Sequence, residues 1–501
     1  MPLPEPTSPQ PSVSLGEIAA AIGGTVVGSP AIPILDVFQD SCQVLPGSLY
    51  AARRGRRADG HAFAPDALAR GASALLVENA DILHALGAPG IVVPQVHRVL
   101  GRAAQVVHGY PFRRLPVLGV TGTNGKTTTT SLTVALLRAQ GVRPALLGTL
   151  GCLFEHHDLG GSHTTPAADD IARFAARLLV LGATCLVMEV SSHALVLDRV
   201  EDVPFQVAGF TNLSHDHLDF HGTMEAYGEA KARLFLDLHP RSTVINVDDM
   251  FGSQLFHRSL GEVLGVSRLG DPRARLRADR AVSDASGLRA ELSLGDLRYP
   301  LRAPLVGAHN LENLLVALGL AIQYGVELGA LVAALPSLPS VPGRLERCSE
   351  EGDDVLVLVD YAHSPDALAR VLAALRPLCS GSLWCVFGCG GDRDPHKRGP
   401  MGEAAARGAD QLVVTSDNPR SEDPARIAEA VVEGIRAVGG KCEVELDRAR
   451  AIDLAIGSAA PGDVVLIAGK GHETYQILGE RIRPFDDRVE ARRALSARKK
   501  P

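Results

Sequence analysis

The sequence predicts an α/β fold built on doubly wound parallel sheets, and three observations support this. Short apolar runs rich in β-formers alternate with helical segments, as in sheets whose strands are buried on both faces. Polar, glycine-rich clusters begin where these runs end, at the edge where open α/β sheets bind ligands. A length of 501 residues, at about 150 residues per domain, suggests three domains. The runs occupy residues 117–120, 186–190, 355–359, 383–387, 412–415 and 464–468.

Proline and serine density marks the predicted domain boundaries. Residues 1–12 are rich in proline and are predicted to form a disordered tail, not a signal peptide. The three predicted domains span residues 13–113, 114–341 and 342–501. The last boundary falls within the segment LPSLPSVPG at residues 335–343, whose composition predicts a linker.

Composition excludes several classes of protein. The net charge of -7, without a block of like charge, argues against a nucleic-acid or anionic-membrane partner. Eight cysteines without a repeated C-x-x-C indicate buried thiols in a reducing compartment. No apolar run reaches the roughly 18 residues that a spanning helix needs. We therefore expect a cytoplasmic protein that does not insert into membranes.

A glycine- and threonine-rich loop follows the run at residues 117–120 and opens a helix predicted over residues 126–140. Its glycines let backbone N–H groups approach phosphate oxygens, and the helix N-terminus adds positive potential. Lys126 can bridge two phosphates, and Thr127 is placed to ligate Mg²⁺. Val120 stands where the usual phosphate loop begins with glycine, so a threonine-rich helix cap is the alternative. The loop residues are Gly122, Thr123, Asn124, Gly125, Lys126, Thr127 and Thr128.

Residues 214–221 contain three histidines and two aspartates. Such a segment could hold zinc, for which histidine nitrogen and carboxylate oxygen are common ligands. Magnesium prefers oxygen, so a histidine beside a nucleotide would need help from a carboxylate such as Glu189. A polar loop without any metal is the third interpretation. Spacing alone leaves the three open.

Two clusters of the third domain could recognise a zwitterionic amino acid. They are DNPR at residues 417–420 and GKGHE at residues 469–473. An arginine fork suits a carboxylate, and an acidic side chain suits an ammonium group. Taken singly, each cluster is more often a surface turn.

Taken in order, the motifs resemble those of the Mur ligase family over nearly the full length of the chain. Within that family the chain is similar to the enzymes that add the third residue to UDP-N-acetylmuramoyl-L-alanyl-D-glutamate. The motifs are TGTNGKTTT at 121–129, SHTTP at 162–166, MEVSSH at 188–193, TNLSHDHLDFHGTMEAYGEAKARLF at 211–235, GAHNLENLLVA at 307–317, PGRLE at 342–346, VDYAHSPDAL at 359–368, FGCGGDRD at 387–394, DNPR and GKGHE.

The resemblance implies a UDP-substrate-binding first domain, a central P-loop-type doubly wound ATPase domain and a C-terminal Rossmann-like domain that binds the amino acid. Lys126 and Thr127 would hold ATP phosphates and Mg²⁺, and Glu189 and His217 would be further magnesium ligands. Lys231 matches a family lysine that CO₂ carbamylates, which creates an oxygen ligand. Lys126, Glu189, His217 and Lys231 would thus be catalytic.

Other positions match family contacts to the three substrates. Asn310, Arg344, Asp360 and His363 match contacts to ATP. Ser41, His61, Thr164, Thr165, Ser191 and Arg199 match contacts to the UDP-muramoyl-peptide. Arg393, Asp417, Asn418, Arg420, Gly469 and Glu473 match the pocket for the incoming amino acid.

Two positions depart from the family pattern. Cys42 stands where an arginine usually follows the serine that matches Ser41, which removes a cation near the UDP site. Leu197 replaces a glutamine that commonly precedes the position of Arg199, so one substrate hydrogen bond is missing or comes from elsewhere.

The activity that the resemblance implies is peptide ligation in peptidoglycan biosynthesis. The D-glutamyl γ-carboxylate attacks the γ-phosphate of ATP, and the amino group of the third residue attacks the resulting acyl phosphate. Closure of the third domain about the segment LPSLPSVPG would exclude water from the reaction. In the family DNPR accompanies meso-diaminopimelate, whose distal carboxylate can pair with Arg393 and Arg420. Lysine and ornithine, with a cationic tip near these arginines, are the alternatives.

Rival interpretations make different demands on the chain. A folylpolyglutamate-type synthetase would lack the UDP-binding domain and DNPR. A P-loop switch or transport ATPase needs no amino-acid pocket. A dinucleotide oxidoreductase built on GCGGDRD would need G-x-G-x-x-G spacing, which this cluster lacks. We expect a monomer.

Overall fold

The computed structural model describes residues 12–55, 58–161, 163–284, 287–350 and 352–498. The predicted tail therefore lies outside the described residues except for Ser12, as does Ser162 of the SHTTP motif. The chain forms two compact units. Unit 1 comprises the chain up to residue 245 with residues 249–264 and 320–326, and unit 2 comprises residues 246–248, 265–319 and the chain from 327 onward. The three predicted domain boundaries stay predictions.

The first part of unit 1 holds a five-stranded sheet in the order β2-β7-β6-β5-β4 and a two-stranded sheet of β1 and β3. A capping box at Ser14 and Glu17 begins its first helix, and Gly23 in the left-handed conformation ends it. The elements are β1 (Val13–Ser14), α1 (Leu15–Ile22), β2 (Thr25–Val27), β3 (Pro33–Ile34), β4 (Asp36–Phe38), β5 (Ser48–Ala51), α2 (Ala64–Ala69), β6 (Ala74–Val77), α3 (Ala80–Leu86), β7 (Gly90–Val92) and α4 (Val96–Val107).

The second part of unit 1 is a largely parallel sheet with helices between its strands. Its strand order runs β11-β10-β9-β12-β8-β13-β14, and only the β9–β10–β11 end is antiparallel. The fully buried strand faces explain the continuous apolar runs of the sequence. The elements are β8 (Val117–Thr121), α5 (Lys126–Ala139), β9 (Pro144–Gly148), β10 (Gly151–Phe154), β11 (His157–Asp158), α6 (Ala168–Leu181), β12 (Cys185–Glu189), α7 (Ser192–Val196), β13 (Phe205–Phe210), α8 (Leu218–His221), α9 (Met224–Leu236), β14 (Ser242–Asn246), α10 (Met250–Arg258) and β15 (Glu262–Ser267).

Unit 2 begins with strands that the sequence analysis did not predict. The last residues of β15 pair in parallel with β16, and β16, β17 and β18 form an antiparallel meander. A helix of 17 residues and a shorter one of 7 residues follow. The elements are β16 (Leu276–Asp284), β17 (Gly287–Leu294), β18 (Leu297–Ala303), α11 (Ala308–Tyr324) and α12 (Leu328–Ala334).

The rest of unit 2 is a doubly wound domain around a six-stranded sheet of order β19-β20-β24-β21-β22-β23. One apolar cluster packs α13, α14 and α15 on one face, and a second packs α16 and α17 on the other. Of the described helices, none is both long and apolar enough to cross a membrane. The elements are β19 (Glu346–Arg347), β20 (Leu356–Asp360), α13 (Pro365–Leu375), β21 (Leu383–Phe387), α14 (Arg398–Gly408), β22 (Gln411–Val414), α15 (Pro424–Ala437), β23 (Glu443–Val444), α16 (Arg448–Ser458), β24 (Val464–Ala468), β25 (Tyr475–Leu478), β26 (Arg481–Pro484) and α17 (Asp487–Arg498).

Candidate active site

The first candidate site lies at the carboxyl ends of β8, β12 and β13 in unit 1. The final residues of β12 and β13 pair with the end of β8, so the loops after these three parallel strands start side by side. The loop after β8 is the predicted phosphate loop, and α5 begins directly after it at Lys126. We call the group formed by this loop, Glu189, His217 and Lys231 the phosphate-loop site.

Two glycines shape the phosphate loop. Gly122 (φ 149°) and Gly125 (φ 86°) both adopt positive φ, which strains other residues. A Cβ on Gly122 would lie 1.9 Å from the hydroxyl of Thr211, so the position also excludes a side chain by space. The Nζ of Lys126 donates to the carbonyl oxygens of Gly122 and Thr123 at 2.8 and 2.9 Å. The loop therefore places a lysine ammonium at a helix N-terminus, where anionic phosphate binds favourably.

Glu189 is a buried carboxylate among hydroxyl and amide donors. The hydroxyl of Thr127 donates to its Oε2 at 3.1 Å. Thr149 donates to Oε1 through its backbone N–H at 2.8 Å and to Oε2 through its hydroxyl at 3.2 Å. These oxygens are hard ligands, so the residues present fit a magnesium ion. The sequence analysis missed Thr149, although it directly follows β9 at the same sheet edge.

Lys231 lies on α9 with only 1% of its surface exposed. Its Nζ donates to the carbonyl of Gly122 at 2.9 Å and lies 4.4 Å from the ring centre of Tyr227. Burial, with the charge of Lys126 as a second cause, holds the pKa of Lys231 well below its usual value. The amine is therefore shifted towards its neutral form. The sequence analysis also missed Tyr227. Its position four residues before Lys231, on the same face of the helix, is the signal that could have identified it.

His217 adopts a left-handed backbone conformation (φ 52°), and its ring lies edge-on to those of His193 and Tyr227. Burial lowers the pKa of His217; Asp216 opposes the shift, while Lys126 and Lys231 add to it. A neutral imidazole is the form that binds metal. No three His, Cys, Asp or Glu side chains within the described ranges are grouped so that they could hold a metal ion. The zinc interpretation of residues 214–221 therefore has no geometric support.

Four predicted substrate contacts form one hydrogen-bonded group beside Glu189. The hydroxyl of Thr164 lies 3.2 Å from that of Thr149. The hydroxyl of Thr165 donates to the backbone carbonyl of Glu189 at 2.9 Å and accepts from the backbone N–H of Ser191 at 2.9 Å. Arg199 donates to the carbonyl of Thr165 at 2.8 Å. This group is continuous with the phosphate-loop site.

Ser41 and His61 lie in the first part of unit 1, on short 3₁₀ turns that Asp40 and Asp59 cap. Both ring nitrogens of His61 are engaged within the protein. Nδ1 lies 2.6 Å from the carboxylate of Asp59, and Nε2 lies 3.2 Å from the backbone N–H of Glu78. The role of these two residues in binding uridine nucleotide stays a prediction. Cys42, which departs from the family pattern, is exposed at the surface.

The second candidate site lies at the carboxyl ends of the parallel strands of unit 2. Asp360, the last residue of β20, pairs with Ala468, the last residue of β24. The clusters at 388–394, 415–420 and 469–473 follow β21, β22 and β24, as the sequence predicts. We call the predicted set Arg393, Asp417, Asn418, Arg420, Gly469 and Glu473 the amino-acid pocket.

The acidic half of the pocket is held close together. Asn418 Nδ2 donates to Glu473 Oε2 at 2.9 Å. Gly469 has a φ of 116°, and a Cβ there would lie 2.6 Å from a carboxylate oxygen of Asp417. The glycine therefore lets the carboxylate lie directly against the backbone after β24. Two carboxylates, those of Asp417 and Glu473, are available to an ammonium group.

The basic half of the pocket surrounds Gly390. A Cβ on Gly390 would lie 3.1 Å from Arg420 Nη1 and 3.8 Å from Cγ of Arg393. Arg420 itself has a left-handed backbone (φ 53°) and donates to the carbonyl of Gly391 at 2.7 Å. The structure thus brings the two predicted arginines together, with Arg393 exposed at the surface.

Of the predicted nucleotide contacts of unit 2, Asn310 and Asp360 are buried, Arg344 is half-buried and His363 is exposed at the surface. The carboxylate of Asp360 accepts from the N–H groups of Leu345 and Ala362, both at 2.8 Å, while burial raises its pKa. Desolvation by the surrounding protein lowers the pKa of His363, whose Nδ1 lies 2.8 Å from the carbonyl of Tyr361. The guanidinium of Arg344 lies 4.8 Å from the centre of the Tyr361 ring, and Asn310 donates to the carbonyl of Val306 at 2.8 Å.

Comparison with known proteins covers all three predicted parts. Three family models match consecutive segments: the Mur ligase family catalytic domain at residues 36–108, the Mur ligase middle domain at 120–321 and the Mur ligase glutamate ligase domain at 343–471. The UDP-N-acetylmuramoyl-L-alanyl-D-glutamate–2,6-diaminopimelate ligase of Gloeobacter violaceus is 45% identical over 491 residues, covering 98% of this chain and 99% of the relative. The ligase of the same name from Synechococcus is 48% identical over 471 residues, covering 91% and 93%.

Solved structures agree with these sequence matches. A structure of a UDP-N-acetylmuramoyl-L-alanyl-D-glutamate–2,6-diaminopimelate ligase superposes with a TM-score of 0.71 at 36% identity, covering 98% of this chain and all of the other. A folylpolyglutamate synthase of Mycobacterium tuberculosis superposes with a TM-score of 0.60 at 20% identity over 74% of this chain and 91% of the synthase, which shows a common fold alone. With family models along its length and relatives at this identity, the chain belongs to the Mur ligase family.

Proposed function

We propose that the chain joins meso-2,6-diaminopimelate to the D-glutamyl γ-carboxylate of UDP-N-acetylmuramoyl-L-alanyl-D-glutamate, with ATP, in peptidoglycan biosynthesis. One observation carries the proposal. The carboxylate of Glu189 accepts from Thr127 and Thr149 at the same sheet edge as the phosphate loop and its Lys126. Relatives named for this ligation, at 45% identity over nearly the full chain, support it.

The residues of unit 1 are suited to phosphoryl transfer. A bound Mg²⁺ would neutralise phosphate charge and so favour attack on the γ-phosphate. Thr127, Glu189 and the neutral imidazole of His217 would hold it. Lys126 would exchange its two carbonyl acceptors for phosphate oxygens, which gain more from an ammonium than a neutral carbonyl does. Thr164, Thr165, Ser191 and Arg199 would orient the peptide carboxylate towards that phosphate.

Lys231 is proposed to carry a carbamate. The neutral Nζ attacks CO₂, an N–C bond forms, and one N–H proton is lost to solvent. The product is an anion with two oxygens, which are hard ligands for a divalent cation. Burial of the amine, and the lowered pKa that results, support this step because only the unprotonated nitrogen is nucleophilic.

The pocket of unit 2 is suited to an amino acid with a charged distal end. Asp417 and Glu473 would pair with an ammonium group, and Arg393 and Arg420 with a carboxylate. meso-Diaminopimelate offers both groups at its distal end. Lysine and ornithine offer only the cation, which would lie near two arginines at an electrostatic cost. Asn310, Arg344, Asp360 and His363 are proposed to contact the nucleotide.

An ADP-release assay tests the proposal. The purified protein receives ATP, Mg²⁺ and the UDP-muramoyl-dipeptide, with diaminopimelate, lysine or ornithine in parallel reactions. We expect turnover that requires both the dipeptide and an amino acid, with diaminopimelate preferred. ATP consumption without any amine would favour a switch or transport ATPase. Turnover that depends on folate would favour a folylpolyglutamate-type synthetase.

We further propose that the protein works in the cytoplasm as a monomer. Its eight cysteines are all free thiols, as a reducing compartment favours. Analytical ultracentrifugation of the purified chain at two concentrations tests the oligomeric state. A single species of about 53 kDa at both concentrations is expected.

A further inference from the structure

Lys470 and Arg448 are fully buried cations behind the amino-acid pocket, each with 0% of its surface exposed. Neither belongs to the predicted pocket. Lys470 lies within GKGHE, and Arg448 begins α16, which carries no predicted site residue. Burying an ammonium or guanidinium group carries a large desolvation cost unless the group is paired with an acceptor. What these two cations contact therefore indicates why they are there.

Lys470 connects the two loops that form the acidic half of the pocket. Its Nζ donates to Asn418 Oδ1 at 3.2 Å and to Glu473 Oε2 at 2.9 Å. The backbone N–H of Ile477 also donates to Asn418 Oδ1, at 3.0 Å, which fixes the orientation of that amide. Glu473 Oε2 accepts from both Lys470 and Asn418, whereas Oε1 accepts no hydrogen bond from the described residues. Lys470 thus determines which carboxylate oxygen remains for a ligand.

Arg448 connects the ends of the strands that carry the same loops. It pairs with Asp487 through two hydrogen bonds of 2.7 Å. Its Nη2 donates to the carbonyl of Ala468 at 2.9 Å, and its Nη1 donates to that of Ser416 at 3.4 Å. These two residues immediately precede the pocket residues Gly469 and Asp417. Arg448 therefore fixes both loops at their origin.

Each of the two buried cations is paired with one carboxylate. Arg448 pairs with Asp487, and Lys470 pairs with Glu473. The second oxygen of Glu473 and the carboxylate of Asp417 are not used by these pairs, and both are suitable acceptors for a ligand ammonium group.

We infer that Lys470 and Arg448 are positioning residues that hold the acidic half of the amino-acid pocket ready for the ammonium group of the incoming amino acid. The inference rests on the proposed function, since it concerns the pocket that this function assigns to diaminopimelate. Neither residue needs to touch the substrate. Both act through Asn418, Glu473 and the backbone at the ends of β22 and β24.

Steady-state kinetics of Lys470→Met and Arg448→Lys test the inference. Lys470→Met keeps the length of the side chain and removes its charge, so Glu473 loses one of its two fixed donors. We expect the KM for diaminopimelate to rise about tenfold or more, with the KM for ATP changed less than about twofold. Arg448→Lys keeps the positive charge but loses the planar guanidinium that donates to several acceptors at once. We expect it to raise the KM for diaminopimelate by a smaller factor.

Arg498→Met is the matched control. Arg498 also joins a carboxylate, that of Asp354, to a backbone carbonyl, that of Ile456, but at the opposite end of α17 from Asp487. Its substitution should leave the KM for diaminopimelate unchanged. Calorimetric titration of each folded variant with diaminopimelate gives a second reading that does not depend on turnover.

Three outcomes decide the matter. A selective rise in the diaminopimelate KM, with weaker binding by calorimetry, supports the inference. Equal changes in both KM values, or the same change in Arg498→Met, would overturn it while leaving the proposed function intact. A wild-type protein that neither ligates nor binds any amino acid would overturn both together.

Discussion

Lys231 and Lys470 are both buried lysines, one at each candidate site, and their acceptors differ. Lys231 donates to the backbone carbonyl of Gly122 and faces the ring of Tyr227. Lys470 donates to the carboxylate of Glu473 and to an amide oxygen. A neutral carbonyl offsets little of the desolvation of an ammonium, and the pKa of Lys231 is accordingly lowered. A carboxylate acceptor, in contrast, offsets the desolvation cost of the ammonium group with an opposite charge.

Burial by itself therefore does not decide what a lysine does. A buried lysine without a carboxylate acceptor is shifted towards a neutral amine, which can react with CO₂. A buried lysine that donates to a carboxylate positions its partner. The chemistry of the neighbouring acceptor therefore separates a reactive lysine from a positioning one.

The largest expected effect follows from replacing Lys231. Lys231→Met removes the nitrogen that would carry the carbamate, and with it one preorganised ligand of the divalent cation. We expect kcat to fall about 10²–10³-fold, a typical cost of losing one such group. ADP release in bicarbonate buffer measures it. Lys441→Met, at an exposed lysine, is the control. Full activity of Lys231→Met would contradict the proposed role of Lys231 in the reaction.

A smaller and more selective effect is expected at Arg420, which tests whether the second site acts on recognition. Arg420→Ala removes a guanidinium proposed to bind the distal carboxylate of diaminopimelate. We expect the KM for diaminopimelate to rise about 30-fold, which corresponds to about 2 kcal/mol. The KM for ATP should stay within about twofold. Arg426→Ala, at an exposed arginine of α15, is the control; an equal loss for both substrates would contradict the assignment.

The pH dependence of stability tests the environment of Lys231 without an activity assay. Because the folded-state pKa of Lys231 lies below its unfolded value near 10.5, the unfolded chain binds more protons between these two pH values. The free energy of unfolding should therefore gain up to about 1.4 kcal/mol per pH unit from this group as pH rises through that window. Denaturant unfolding in CO₂-free buffer, compared with Lys231→Met, measures the contribution. Identical pH slopes would show that the amine is not shifted.

The smallest effect is expected at Tyr227. Tyr227→Phe keeps the ring that covers Lys231 and removes the hydroxyl that contacts Thr123 of the phosphate loop. We expect the KM for ATP to rise about two- to fivefold, the cost of one neutral hydrogen bond, with kcat nearly unchanged. Tyr324→Phe, whose hydroxyl contacts Cys185, is the comparison. A large fall in kcat would show that the hydroxyl, and not the ring, maintains the environment of Lys231.

The sequence predicted the parallel strands closely. The runs at 383–387 and 464–468 coincide with β21 and β24 residue for residue, and the run at 117–120 differs from β8 by one residue. These strands are largely buried on both faces, so their residues are apolar except for Thr121 at the end of β8, and the apolar run is continuous. The helix predicted at 126–140 ends one residue early, before Gly141 in the left-handed conformation.

The meander of β16, β17 and β18 was not predicted. Its strands alternate exposed charged residues with buried apolar ones, as in Arg298, Tyr299, Pro300, Leu301 and Arg302, where Leu301 is buried between exposed neighbours. A strand with one solvated face carries no continuous apolar run. A search for continuous apolar runs therefore does not detect these strands, although their sequences do contain the two-residue alternation of a half-buried strand.

The sequence alone located the loops that follow the buried strands, because strand, loop and helix signals are local and the polar clusters come directly after the apolar runs. The partners of the buried side chains were visible only in the folded chain. Lys231 in its helix looks like any solvated lysine, and Arg448 lies 39 positions from Asp487. Burial and pairing depend on which distant segments pack against a side chain. Local patterns do not contain that information, and the acceptors of Lys231 and Lys470 became visible only once the chain was folded.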